Sequence, residues 1–160
     1  MKSAAAKTDL PLVLSLDELM EYLRVDPARD PISVALATPC LVVALSEADE
    51  LGSEDRSVLR AGLAQLAAPA LGFMSGPVAA PVQAISDCFD ALASDEQALA
   101  LLVEACVHRP LASLALVQLL RQVERLTIHE GLVAESWVYS MLQAGPEFAE
   151  WLAERKVPAL

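Results

Sequence analysis

Two short stretches of this chain hold the residue types and spacing that could do chemistry. The first is Ser46-Glu47-Ala48-Asp49-Glu50-Leu51, which opens a charged run continuing to Arg56. A carboxylate held over a site, Glu47, Asp49 or Glu50, can serve as a general base. The same run also reads as a solvated, charged loop. The second stretch is Pro69 to Asp90, PALGFMSGPVAAPVQAISDCFD. Its apolar start, Ala70 to Met74, fits a strand buried on both faces. Ser75-Gly76-Pro77 then turns the chain, with glycine supplying backbone freedom and proline ending the ladder. Small residues follow, among them Ala79, Ala80 and Pro81, and they let a ligand come close to the backbone. Ser75 is a nucleophile candidate by position alone. GFMSG lacks the G-x-S-x-G spacing of a nucleophile elbow, and Pro77 stands at the helix start.

The remaining reactive types are sparse. His108 ends a helix, where a cation suits the macrodipole, and His129 falls in a first helical turn beside Glu130. Neither has a neighbouring Cys or Asp pair, so no metal site is expected. Cys40, Cys88 and Cys106 are widely spaced and form no C-x-x-C pair, which indicates neither a disulfide framework nor a zinc site. They read as small buried hydrophobes in a reducing cytoplasm.

Several elements must position these stretches. Leu10 to Leu14 reads as a strand. Ser15 to Glu18 is a capping box opening a helix with Leu16, Leu19, Met20 and Leu23 at helical spacing, closed by Asp26-Pro27. Ile32 to Ala37 and Leu41 to Leu45, separated by Thr38-Pro39, read as two short strands or as one strand broken at the proline. Ser46 to Arg56 is expected to be a loop, followed by a helix through Val58, Leu59, Leu63 and Leu66 that stops at Pro69. Alternating strands and helices imply a small, mostly parallel sheet.

The second half is expected to be all helical. Ser94 to Gln97 and Thr127 to Glu130 are capping boxes. Leu99, Leu102, Val103 and Cys106 share a face of the first helix, which Pro110 closes. A second helix runs from Leu111 to about Leu126. Leu132, Val133, Trp137, Val138, Met141 and Leu142 carry the apolar side of the third, which ends at Gly145-Pro146. A last helix runs from Glu147 to about Arg155. The spacing of Trp137, Tyr139, Phe148 and Trp151 favours a core or subunit interface over a ligand cage. The fold class is therefore α/β followed by a helical C-terminal section. Residues 1–9 read as a flexible leader, 10–93 as the α/β core and 94–160 as the helical section of the same domain.

Residues 76–90 lie without gaps on a recurring pattern in which a strand ends in N-G-x-A-x-G-G-G and continues into a helix ending in C-D. LALVQLLR (114–121) and GLVAESWVYSMLQAGPEFAEWLAER (131–155) are similar to closing helices that accompany it. On these segments the chain resembles the crotonase superfamily of enoyl-CoA hydratases and isomerases, as a shortened and degenerate member. The resemblance implies an acyl-CoA thioester as ligand, with no other cofactor and no metal. The family's first oxyanion loop, of the form C-A-G-A-D-L after a strand, has its counterpart in Ser46-Glu47-Ala48-Asp49-Glu50-Leu51. The resemblance therefore places Ser46, Ala48, Gly76, Ala79, Ala80 and Pro81 against that ligand, and Asp90 at the family aspartate.

It also implies lost chemistry. The family polarises the thioester carbonyl with two backbone N–H groups, and one of them falls at Pro81, which has none. The acid/base glutamate falls at Ala84, and the segment carrying the second glutamate is missing. Loss of one oxyanion donor costs about 3 to 4 kcal/mol of transition-state stabilisation. Loss of each carboxylate removes a further factor of roughly 100 to 10,000. The chain is thus expected to be a pseudoenzyme, or, if active, of hydratase/isomerase type through other residues. Family members pack their last helices against neighbouring subunits, so a homo- or hetero-oligomer is implied. A non-catalytic scaffold assembled through the same helices is the alternative.

Composition bounds these readings. A net charge of −11 argues against nucleic acid or an anionic membrane as partner. The 160 residues, 55% of them hydrophobic, suffice for a buried core. The N-terminal apolar run, cut by Asp17 and Glu18, is too short for a signal peptide, and no stretch reaches a membrane span, so a cytoplasmic protein is expected. Between Asp30 and Arg121 the only cations are Arg56, Arg60 and Arg109, few for the phosphates of coenzyme A.

Overall fold

The computed structural model describes residues 11–24, 32, 38–46, 51–75 and 80–155. The fold is α/β. Four short strands, β1 (Leu12–Ser15), β2 (Leu41–Ala44), β3 (Ala70–Phe73) and β4 (Ala91–Ala93), form one sheet in the order β1-β2-β3-β4. All three pairings are parallel, with Ser15 opposite Ala44, Ala44 opposite Phe73, and Phe73 opposite Ala93. The chain divides into two compact units, Met1–Pro110 and Leu111–Leu160.

In the first unit, Leu41, Val42 and Val43 are buried on both faces of the sheet, as a β-branched apolar run requires. Leu41 and Val43 join Ala70 in a core with Leu16, Leu19, Met20 and Leu23 of α1 (Leu16–Arg24) and Leu59 and Leu63 of α2 (Ser53–Gln65). Val82 of α3 (Ala80–Gln83), Ile85 and Phe89 complete that core. Each fully buried Leu or Ile side chain here contributes about 1.5–3 kcal/mol. On the opposite face Cys40, Val42 and Leu71 pack with Cys106 of α4 (Glu96–His108), together with Leu99, Leu102 and Val103 of that helix. The helical spacing seen in the sequence puts those four α4 residues on the sheet.

The expected capping box at Ser15 forms. The Glu18 carboxylate accepts from the Ser15 N–H at 2.7 Å, and the Glu18 N–H donates to Ser15 Oγ at 3.3 Å. A second box at Thr127 opens α6 (Ile128–Gln143). The box expected at Ser94 is replaced by Asp95, whose side chain accepts from the Ala98 N–H at 2.7 Å. The charged run also differs from expectation. The loop ends at Gly52, and α2 starts at Ser53 with Glu54 and Asp55 in its first turn, where acids meet the positive end of the helix dipole. Pro110, read as closing α4, instead opens α5 (Pro110–Val123), since a first-turn proline forfeits no helical hydrogen bond. The strand expected over Ile32 to Ala37 and the Asp26-Pro27 stop fall almost wholly outside the described residues.

In the second unit, α5 is followed by α6 and by α7 (Pro146–Glu154). The Glu147 carboxylate takes the N–H groups of Leu111 at 2.8 Å and Ala112 at 3.0 Å, so the first turn of α7 caps the start of α5. Among the described apolar side chains of this unit only Val117 is buried. No single described helix is long and apolar enough to cross a membrane.

Candidate functional site

The strand register brings two of the singled-out residues together. Ser46 and Ser75 each lie two residues beyond the paired Ala44 and Phe73, so both chains leave the carboxyl edge of the sheet side by side. Backbone bonds prolong the ladder there: the Leu45 N–H donates to the Phe73 carbonyl at 2.7 Å and the Met74 N–H to the Ala93 carbonyl at 3.0 Å. Both serines are exposed. Ala80 and Pro81 open α3, and Val82 anchors that turn in the core. Pro81 presents no N–H to a ligand. Ala84 is exposed just past α3, its N–H bonded to the Ala80 and Pro81 carbonyls at 3.2 and 3.1 Å. Glu47, Ala48, Asp49, Gly76 and Ala79 lie outside the described residues.

Two carboxylates at this edge were not legible as neighbours of the site. Glu18 stands in the turn after Ser15, and Asp95 lies two residues beyond Ala93. Each is engaged as a helix cap. The Ser15 N–H and hydroxyl hold the Glu18 carboxyl below its usual value of 4.5. A carboxylate already accepting such bonds is a poor general base, because protonation must first break them.

Asp90 sits at the other end of the sheet. Its Oδ2 accepts from the Ala70 N–H at 2.7 Å, and Ala70 is the first residue of β3. That places Asp90 at the amino edge, away from Ser75. Among the three arginines considered for coenzyme A phosphates, Arg60 donates to Asp87 at 2.5 Å, and this bond holds the Asp87 carboxyl below its usual range.

The aromatic residues are placed by the second unit. Trp137 is 72% exposed and Tyr139 63%, so neither belongs to a core within the second unit. Phe148 and Trp151 stack at 5.6 Å, with the Arg155 guanidinium 4.6 Å from the Trp151 ring centre. Between α5, α6 and the start of α7 runs an apolar groove of about 600 Å³ lined by Leu114, Leu119, Trp137, Val138, Met141 and Leu142, with Gln118 and Gln122 as polar neighbours. His108 stands in the last turn of α4, 3.9 Å from Glu104. Among the described residues no three His, Cys, Asp or Glu gather in a way that could hold a metal.

No family model, curated protein or solved structure matches the chain.

Proposed function

We propose that this chain is a crotonase-like protein that holds an acyl-CoA thioester at the carboxyl edge of its sheet without hydrating it. The observation that carries the reading is the shared exit of Ser46 and Ser75 from adjacent parallel strands. Open parallel sheets bind ligands outside the carboxyl ends of their strands, and the two loops that the resemblance assigns to the thioester both begin there. Ser46, Ala48, Gly76, Ala79, Ala80 and Pro81 line the ligand in this reading, while Glu47, Asp49 and Ser75 are the groups left for any residual chemistry. Hydration fails for want of groups: Pro81 has no N–H, Ala84 no carboxylate, and Glu18 and Asp95 are occupied as caps. With Arg60 engaged by Asp87, few cations remain for the phosphates, and affinity is modest.

A second reading, compatible with the first, makes the C-terminal helices an assembly surface for a homo- or hetero-oligomer. It is favoured by the exposure of Ile128 at 85%, Leu132 at 59%, Trp137 at 72% and Met141 at 61% along one helix. A helix apolar on so much of its surface is ordinarily covered. The net charge of −11 fits a cytoplasmic protein that avoids nucleic acid and anionic membranes.

Calorimetric titration with acetyl-CoA, crotonyl-CoA and free CoA, beside a light-scattering mass, tests both readings. Micromolar binding that distinguishes thioester from free CoA is expected, with a mass above that of one chain. No heat at millimolar ligand would overturn the thioester reading, and a monomer mass at high protein concentration would overturn the homo-oligomer and leave only assembly with a different chain.

A further inference from the structure

Two of the three cysteines meet. Cys40 immediately precedes β2, where its carbonyl accepts from the Leu12 N–H at 3.2 Å. Cys106 occupies the last turn of α4. Both are buried, at 0% and 6% exposure, in one small cluster with Val42 and Leu71, and both are free thiols. The Cys106 thiol beside it in that cluster, together with burial, pushes the Cys40 thiol far above its ordinary range. Cys88 lies apart, packed against the opposite core and 3.8 Å from Asp87.

We propose that Cys40 and Cys106 form a reversible disulfide when the protein meets hydrogen peroxide, tying the last turn of α4 to the start of β2. The juxtaposition supplies the partner that a lone buried thiol lacks. Cys106 is the point of entry, because it is the less buried of the two and sits beside the exposed helix end at His108. Opening of that last turn admits the oxidant. The Cys106 sulfur attacks one peroxide oxygen, the O–O bond breaks, and a sulfenic acid and one water result. The Cys40 sulfur then attacks the sulfenic sulfur, the S–O bond breaks, and a second water leaves with the thiol proton. Two thiols have lost two electrons, and one peroxide has become two waters. With Cys40 in contact, the second step outruns further oxidation of Cys106. A dithiol reductant reverses the bridge by exchange. Because the first step waits on local opening, the reaction is slow compared with that of an exposed thiolate.

The test uses the full chain and its Cys88→Ser variant, treated with hydrogen peroxide, quenched, and analysed under denaturing conditions. In Cys88→Ser both remaining thiols are expected to disappear together, with the loss of two hydrogens from the intact mass. A non-reduced digest should contain one peptide pair joining Cys40 and Cys106, and dithiothreitol should restore both thiols. In Cys106→Ala, Cys40 is expected to stay a thiol over the same interval. Persistence of both thiols in Cys88→Ser at full peroxide exposure would overturn the proposal. So would sulfinic acid at Cys106 with Cys40 still free, disulfides between molecules, or equal loss of the Cys40 thiol in Cys106→Ala.

Discussion

Asp90 and Ala70 hold each other twice: the Asp90 carboxylate accepts from the Ala70 N–H at 2.7 Å, while the Asp90 N–H donates to the Ala70 carbonyl at 2.9 Å. This pair closes the amino edge of the β3–β4 ladder and fixes where Ala91 enters the sheet. An aspartate that the resemblance places in a family pattern is thus a structural clamp, on the edge opposite Ser46 and Ser75.

Asp90→Ala should therefore destabilise the fold and leave ligand binding alone. It strips the partner from a partly buried backbone N–H, a loss of about 1–3 kcal/mol. Asp90→Asn, which keeps an acceptor oxygen, should recover much of it. Urea midpoints for both variants, with thioester titration at low denaturant, separate the two roles. Unchanged stability with lost binding would move Asp90 into the site.

Much of the scaffold was legible because its signals are local. Leu16, Leu19, Met20 and Leu23 repeat at helical spacing, Ser15 and Glu18 form their box, and Leu41 to Val43 is a plain buried strand. What escaped was set by partners distant in sequence. β4 is only Ala-Leu-Ala, residues of little strand preference, and becomes a strand through its pairing with β3 and the Asp90 clamp. Glu54 and Asp55 resembled loop charges because first-turn acids and solvated acids look alike without the cap. At the site, the positions of Ser46 and Ser75 in the chain were legible, but their shared exit depends on strand register, which no local pattern states.

Gly62 marks a close approach of α1 and α2. A Cβ added there would lie 2.5 and 2.8 Å from the Leu23 methyls and 3.1 Å from its Cγ. Leu23 is only 7% exposed and has little room to yield. In Gly62→Ala the gain in helix propensity, up to about 1 kcal/mol, is set against overpacking of about 1–3 kcal/mol, and overpacking wins. In a Leu23→Ala background the sign should reverse, with Gly62→Ala now stabilising. A double-mutant cycle by urea unfolding reads this directly, and additive effects would refute the contact.

The two capping boxes give the protein an acid-sensitive limb. Glu18 is held below 4.5 first by the Ser15 backbone N–H and then by its hydroxyl, and Glu130 likewise by Thr127. A carboxyl lowered in the folded state lets the unfolded chain take its proton first as pH falls. Its contribution is complete above the ordinary value of 4.5 and is lost as pH drops through the lower folded value. Glu18→Gln and Glu130→Gln keep an acceptor without the titration, so their urea midpoints should fall less steeply than the parent's between pH 5 and pH 3. Thr127→Ala should cost about 1 kcal/mol at neutral pH. Parallel pH curves for parent and Gln variants would remove the boxes from the acid response.

Pro81→Gly tests the proposed loss of hydratase chemistry. The substitution returns a backbone N–H to the start of α3, where the resemblance puts an oxyanion donor, and in other enzymes one such donor is worth about 100- to 1000-fold in rate. In the proposed reading, the returned donor lacks a carboxylate at position 84 to work with. Ala84 cannot move a proton, and Glu18 and Asp95 are bound to their own helix starts. Crotonyl-CoA hydration, followed by loss of the conjugated thioester absorbance, should stay at the buffer rate in Pro81→Gly and in the Pro81→Gly/Ala84→Ser control. Pro81→Gly/Ala84→Glu restores one donor and one carboxylate together, and it is the variant in which slow turnover is expected. Turnover in Pro81→Gly alone would show that another group on this chain, Glu47 or Asp49 first, supplies the acid/base step, and the reading that hydration fails for want of a carboxylate would then be wrong.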